Sequence, residues 1–127
     1  MKRILVVDDE MGARTLIGIM LERGGFEVLK AQNGREALEM LDTIEPPDMF
    51  ILDVMMPEID GIQLCRMLRE RDDTKAIPIL ILSARGDAKS VIQGMEAGAT
   101  DYILKPIFHH NLVDKVRSLL NMGATAE

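Results

Sequence analysis

The chain has 127 residues, 47% of them hydrophobic and 28% charged, with a formal net charge of −6. That is enough for one globular domain with its own core and too little for two, and the composition is not that of a disordered chain. The acidic balance argues against nucleic acid as a ligand of this unit, no apolar run approaches the roughly 20 residues of a membrane span, and the N-terminus lacks the apolar core of a signal peptide, so a cytoplasmic location is expected.

Strand and helix signals alternate five times. Arg3-Ile4-Leu5-Val6-Val7 is a short, nearly continuous apolar run, the mark of a strand buried on both faces. Leu16, Ile17, Met20 and Leu21 then recur at helical spacing, and Gly24-Gly25 is a helix stop. Phe26 to Ala31 reads as a second strand, more polar than the rest and so near an edge. Asn33 followed by Glu36 predicts an N-cap with capping-box geometry for a helix turning Ala37, Leu38 and Leu41 inward, closed by Pro46-Pro47.

The third strand, Asp48 to Leu52, runs into Asp53. Pro57 to Gly61 is a turn signal, and a helix follows with Leu64, Cys65 and Leu68 on one face. Cys65, the single cysteine, cannot form an internal disulfide and reads as core filling at that spacing. Ile77 to Leu82 is a fourth strand ended by Ser83. A helix from about Asp87 carries Val91, Ile92 and Met95 and stops at Gly98. The fifth strand ends at Lys105-Pro106, and the last helix presents Leu112, Val113, Val116, Leu119 and Leu120. Parallel strands need crossover helices, which are right-handed almost without exception. The pattern therefore predicts an α/β fold, a doubly wound five-stranded parallel sheet with helices on both faces, over residues 1–121. Residues 122–127 are expected to form a short mobile tail.

Three strands end in charge: the first at Asp8-Asp9-Glu10, the third at Asp53, the fifth at Lys105. In open α/β sheets the ligand crevice lies outside the carboxyl ends of the strands. Two unit charges about 5 Å apart at an effective dielectric of about 20 repel by about 3 kcal/mol, so three clustered carboxylates carry on the order of 10 kcal/mol. One lysine does not cancel that. A hard divalent cation does, and magnesium favours a few carboxylates together with waters and a phosphate oxygen. The cluster reads as a metal site built to meet a phosphoryl group.

From about Lys2 to Asn121 the chain resembles the receiver domains of two-component response regulators. The resemblance rests on Asp8-Asp9, on Asp53 followed by Val54-Met55-Met56-Pro57 and Asp60-Gly61, on Ser83-Ala84, on Gly98-Ala99-Thr100-Asp101-Tyr102 and on Lys105-Pro106. It implies a flavodoxin-like strand order 2-1-3-4-5 with the cleft between strands one and three. It further implies Asp53 as the phosphoacceptor, Asp9 as a direct magnesium ligand, Asp8 as a ligand mainly through water, and the Met55 backbone carbonyl as a further ligand, with manganese able to substitute. Lys105 and Ser83 would contact the phosphoryl oxygens, Tyr102 would rotate inward as Ser83 moves, and the bond before Pro106 would be cis. Met55 and Arg85 would influence how fast water attacks the acyl phosphate. The implied partners are a sensor histidine kinase or a histidine phosphotransfer protein upstream, and a downstream protein target or a second copy on phosphorylation. Such a domain is a signalling phosphoacceptor that catalyses only its own phosphorylation and dephosphorylation. Two departures stand out: Ile59 where the family often has Met before Asp-Gly, and Ile107 where Phe commonly follows Lys-Pro.

Other readings have specific requirements. Asp8 or Asp9 could instead cap the first helix. A phosphatase of the haloacid dehalogenase type also uses a strand-end Asp, magnesium, Ser or Thr and Lys, but carries Asp-x-Asp where this chain has Asp53-Val54-Met55. A flavin carrier of the same fold needs a Ser/Thr/Gly-rich phosphate loop after the first strand, where Asp8-Asp9-Glu10 would repel the ligand. His109 and His110 read as solvated residues opening the last helix.

Overall fold

The computed structural model describes residues 1–125. Five strands, β1 (Arg3–Val7), β2 (Glu27–Ala31), β3 (Met49–Leu52), β4 (Ile79–Ser83) and β5 (Asp101–Leu104), alternate with five helices, α1 (Met11–Arg23), α2 (Gly34–Leu41), α3 (Gly61–Glu70), α4 (Ala88–Glu96) and α5 (His109–Thr125). All four strand pairings are parallel, and the sheet order is β2-β1-β3-β4-β5. This is the flavodoxin-like order that the resemblance implied.

The apolar runs form strands because both faces of the sheet are covered. Successive side chains of a strand point to opposite faces, and the core divides accordingly. Leu5, Val7, Phe50, Leu52, Ile79 and Ile81 pack with Ala37 and Leu41 of α2 and with Ile62, Leu64, Cys65 and Leu68 of α3. Ile4, Val6, Met49, Ile51, Leu80 and Leu82 pack on the other side with Ile17 and Leu21 of α1 and Leu112, Val113, Val116 and Leu119 of α5. Cys65 is fully buried, as its spacing predicts. β2 lies at the sheet edge with most of its residues partly or fully exposed.

Three local readings are corrected. Leu16 is 53% exposed while Ile17 and Leu21 are buried, so the inward face of α1 is narrower than the apolar spacing suggested. In α4 the residues facing the sheet are Ser90 and Gly94, and Ile92 and Met95 are exposed. The reason is local: Gly94 sits so close to Ile81 and the Tyr102 ring that even a Cβ would be tight, which turns the larger side chains outward. Asn33 caps α2 through the Glu36 amide, but the Glu36 carboxylate bonds Gln32 N–H rather than closing a reciprocal box. α5 runs to Thr125, and residues 126 and 127 of the expected tail lie outside the described residues.

The loop after β3 folds back tightly. Asp60 caps α3 in a reciprocal box, its carboxylate accepting from Gln63 N–H at 2.8 Å and its own N–H bonding the Gln63 side chain at 3.0 Å. Gly61 N–H donates to the Val54 carbonyl, and a Cβ at Gly61 would run into the main-chain carbonyl of Asp53. No side chain can move aside to relieve that clash. Gly61→Ala is expected to destabilise the fold by about 1–3 kcal/mol, read as a lower urea midpoint; an unchanged midpoint would show that the backbone yields freely here.

Candidate functional site

The sheet order brings the three charged strand ends together. Val7 and Leu52 are partners in the β1–β3 register, so Asp8 and Asp53 leave neighbouring strands at the same level. Their amides stay in the ladder, Asp8 N–H on the Ala31 carbonyl and Asp53 N–H on the Val7 carbonyl. Lys105 N–H bonds the Ser83 carbonyl at 2.9 Å, and its side chain crosses the end of β4. Lys105 Nζ lies 2.7 Å from Asp8 Oδ2 and 3.7 Å from Asp53 Oδ1. One carboxylate oxygen from each of Asp8, Asp9 and Asp53 lies within 4.8 Å of the others. Asp8 is 1% exposed and Asp53 9%, while Asp9 is exposed. The Lys105–Pro106 peptide bond is cis.

The electrostatics of the cluster are unfavourable as it stands. Burial pushes the Asp53 carboxyl up to about 6, Asp8 and Asp9 add to the shift, and Lys105 opposes it. Both Asp8 oxygens carry hydrogen bonds, Oδ1 from Glu10 N–H at 3.0 Å and Oδ2 from Lys105. The donor set is hard oxygen throughout, which is what a magnesium-sized cation takes.

Neither Asp8 nor Asp9 caps α1. Glu10 does so, its carboxylate accepting from the amides of Gly12 and Ala13. The capping alternative fails, and both aspartates face the cluster's needs instead. Any of the three consecutive acids suits a helix N-terminus, so residue type alone does not say which one caps. Arg14 was also missed: its guanidinium holds the Asp8 carbonyl at 2.8 Å from one turn into α1.

Above the cluster, Asp9, Val54, Met55, Met56, Pro57, Asp60 and Arg85 line a recess of about 340 Å³. Met55 is 56% exposed on its rim. Ser83 is fully buried at the end of β4, its hydroxyl oxygen accepting from Arg85 N–H at 3.1 Å. The Tyr102 hydroxyl donates to the Arg85 carbonyl, and its ring lies over Gly94 and packs on the core. Burial raises the Tyr102 phenol pKa, and the Ser83 hydroxyl opposes the shift. The predicted site residues thus fall into two connected groups: Asp8, Asp9, Asp53 and Lys105 around the carboxylates, and Ser83, Arg85 and Tyr102 in the loop beside them.

Comparison with known proteins finds a family model, the response regulator receiver domain, matching residues 4–117. A probable transcriptional regulatory protein of Picosynechococcus is 46% identical, the match covering 93% of this chain and 49% of that protein. The alkaline phosphatase synthesis transcriptional regulatory protein PhoP of Bacillus subtilis is 41% identical over 98% of this chain and 51% of its own length. The chain therefore spans about half the length of these curated relatives. The crystal structure of a putative response regulator from Chloroflexus aurantiacus superposes with a TM-score of 0.89 at 40% identity, covering 94% of this chain and 98% of that one. The comparisons give no support to the phosphatase alternative.

The raised Asp53 carboxyl has a consequence for stability. Its folded value of about 6 against an ordinary 3.8 means that the folded protein holds this proton more tightly than the unfolded chain does. In metal-free buffer Asp53 therefore lowers stability as pH rises from about 4 to about 6, by up to about 3 kcal/mol, and the deficit persists at higher pH. Asp53→Asn is expected to raise the melting temperature by roughly 5–10 °C at pH 8 and to change it little near pH 4. A gain of equal size at both pH values would show that the carboxylate is not destabilised by its surroundings.

Proposed function

The chain belongs to the response regulator receiver domain family, and we propose that Asp53 is its phosphoacceptor, taking a phosphoryl group from a histidine kinase or histidine phosphotransfer protein in a magnesium-dependent reaction. The observation that carries this reading is the convergence of Asp8, Asp9 and Lys105 on one buried carboxylate with a raised pKa. The domain signals and is not a turnover enzyme; its own phosphorylation and dephosphorylation are the only reactions it promotes. A cytoplasmic location is part of this reading, as is a functional unit ending near residue 121.

Asp8, Asp9, Asp53 and the Met55 main-chain carbonyl are the groups that would hold magnesium. The exposed Asp9 suits direct coordination, whereas Asp8, with both oxygens already hydrogen-bonded, suits coordination through water. The bound ion supplies neutralising charge for the phosphoryl oxygens. The Asp53 carboxylate oxygen attacks phosphorus in line, a P–O bond forms, and the bond from phosphorus to the donor nitrogen breaks, the imidazole leaving with the electron pair. Lys105 Nζ, already 3.7 Å from Asp53, turns from Asp8 to donate to a phosphoryl oxygen and so stabilises the charge that develops there.

After transfer, the Ser83 hydroxyl hydrogen is directed to a phosphoryl oxygen. Ser83 and Tyr102 hold the two main-chain polar groups of Arg85, so a shift of Ser83 is felt by Tyr102 through that one residue. The change reaches the face formed by α4, β5 and α5, where Ile92, Met95, Leu104 and Phe108 are exposed apolar groups. That face is the proposed contact for a downstream protein or a second copy. A free-energy bias of a few kcal/mol is enough for such a switch.

Incubation with magnesium and acetyl phosphate is expected to raise the intact mass by one phosphoryl group, and chelation of magnesium or Asp53→Asn to abolish the gain. Full labelling of the Asp53→Asn protein would overturn the assignment. Met55 and Arg85, which flank the recess, are expected to slow attack by water. Replacing both with alanine should shorten the acyl-phosphate half-life several-fold in a quench-and-mass time course, and an unchanged half-life would show that these side chains do not gate water.

A further inference from the structure

The loop from Ser83 to Asp87 carries one guanidinium that pairs with an acid at the start of α4 and belongs to a residue lining the recess beside Asp9. Arg85 Nε lies 3.2 Å from Asp87 Oδ1. Asp87 is the N-cap of α4, its carboxylate accepting from Ser90 N–H at 3.1 Å and from the Ser90 hydroxyl at 2.9 Å. Arg85 also lines the recess that Asp9 and Met55 share. Its main-chain N–H and carbonyl are held by Ser83 and Tyr102, and the guanidinium reaches Asp87 through side-chain torsions that are independent of those two bonds.

We propose that Arg85 is an exchange latch between Asp87 and the acceptor site. In the unmodified chain the guanidinium leans on Asp87 and adds to the hold on the first turn of α4. When Asp53 carries a phosphoryl group, Arg85 transfers to the phosphoryl oxygens and leaves Asp87 with its helix-capping bonds alone. The inference rests on the reading of Asp53 as phosphoacceptor and names the side chain that carries the state of the site to α4. The direction of exchange follows from charge and exposure. The Arg85–Asp87 pair is about half exposed on both sides, and such pairs are weak. A phosphoryl group carries roughly −1.5 to −2 charge and accepts the planar guanidinium fork bidentately. Arg85 is thus a positioning residue for α4 and a ligand of the modified site in one side chain.

Beryllofluoride with magnesium serves as the probe, followed by the Arg85 Nε–Hε cross-peak and the amides of Asp53, Val54, Asp87 and Ser90. In the unsubstituted protein the Nε cross-peak and the Asp87 and Ser90 amides are expected to move together with those at Asp53. Asp87→Ser retains a capping hydroxyl and removes the competing carboxylate, so beryllofluoride affinity should rise by about three-fold. Arg85→Gln should lower affinity by roughly five- to ten-fold and uncouple the Ser90 amide from the probe. Movement at Asp53 with a stationary Arg85 Nε peak, or an affinity indifferent to Asp87→Ser, overturns the latch and leaves the acceptor reading intact. Absence of any change at Asp53 overturns the acceptor reading and the latch with it.

Discussion

Lys105 Nζ at 2.7 Å from Asp8 and 3.7 Å from Asp53 is the contact on which the arrangement of the site depends. The parallel register forces two aspartates out of neighbouring strands at one level, and burial then removes the water that would screen them. A protein interior punishes such a pair unless a counter-charge is close. The lysine arrives from the other side of β4, nearly a hundred residues later in the chain, and reaches the pair only because β5 lies next to β4 in the sheet. Even so, burial and the neighbouring acids outweigh one shared ammonium and leave Asp53 with a carboxyl pKa of about 6. That unfavourable state is what the proposed cation would relieve.

Much of the surrounding structure keeps this cluster from relaxing. Glu10 takes over the helix-capping duty that would otherwise occupy Asp8 or Asp9. Arg14 pins the Asp8 carbonyl, and Gly61 lets the loop after β3 close against the backbone of Asp53 itself. The capping box of Asp60 and Gln63 then starts α3 directly after that closure. These are backbone and cap interactions, and they fix the acids by holding the chain on either side of them. A preorganised arrangement of this kind suits a transfer reaction in which position and charge neutralisation supply most of the barrier lowering.

The parts of this arrangement that were legible in the sequence are those set by period and by strand-end charge. Apolar runs such as Leu5 to Val7 and Phe50 to Leu52 announce buried parallel strands, and the acids that end them announce the site. The strand order and the individual roles came with the family resemblance, because no local pattern says which strand neighbours which. What was not legible depends on tertiary fit. Ile92 and Met95 have the spacing of an inward face, yet Gly94 packs there because Tyr102 and Ile81 fill the space beneath it. Asn33 and Glu36 read as a capping box, whereas the box formed at Asp60 and Gln63, a segment read only as a turn. Which of Asp8, Asp9 and Glu10 would cap α1 turned on a two-residue difference in where the helix begins.

The two ends of α4 are held in different ways, and that difference suits a responsive element. At its C-terminal end the guanidinium of Arg69, partly buried and held below its ordinary pKa by desolvation, donates to the carbonyls of Gly98, Lys75 and Ile77 at 2.8, 3.1 and 2.6 Å. Those bonds tie the turn after α4 to α3 and to the entry of β4 through backbone atoms far from the carboxylates. At the N-terminal end the helix hangs on Asp87, on the Arg85 side chain beside it, and on the Ser83 and Tyr102 hydroxyls that grip Arg85. Single side-chain hydrogen bonds at a partly exposed loop exchange partners at less cost than a multiply bonded guanidinium set among backbone carbonyls. A change of charge at Asp53 therefore meets the yielding end of α4 while the other end stays fixed. Ile92 and Met95, exposed on the outer surface of that helix, lie between the two.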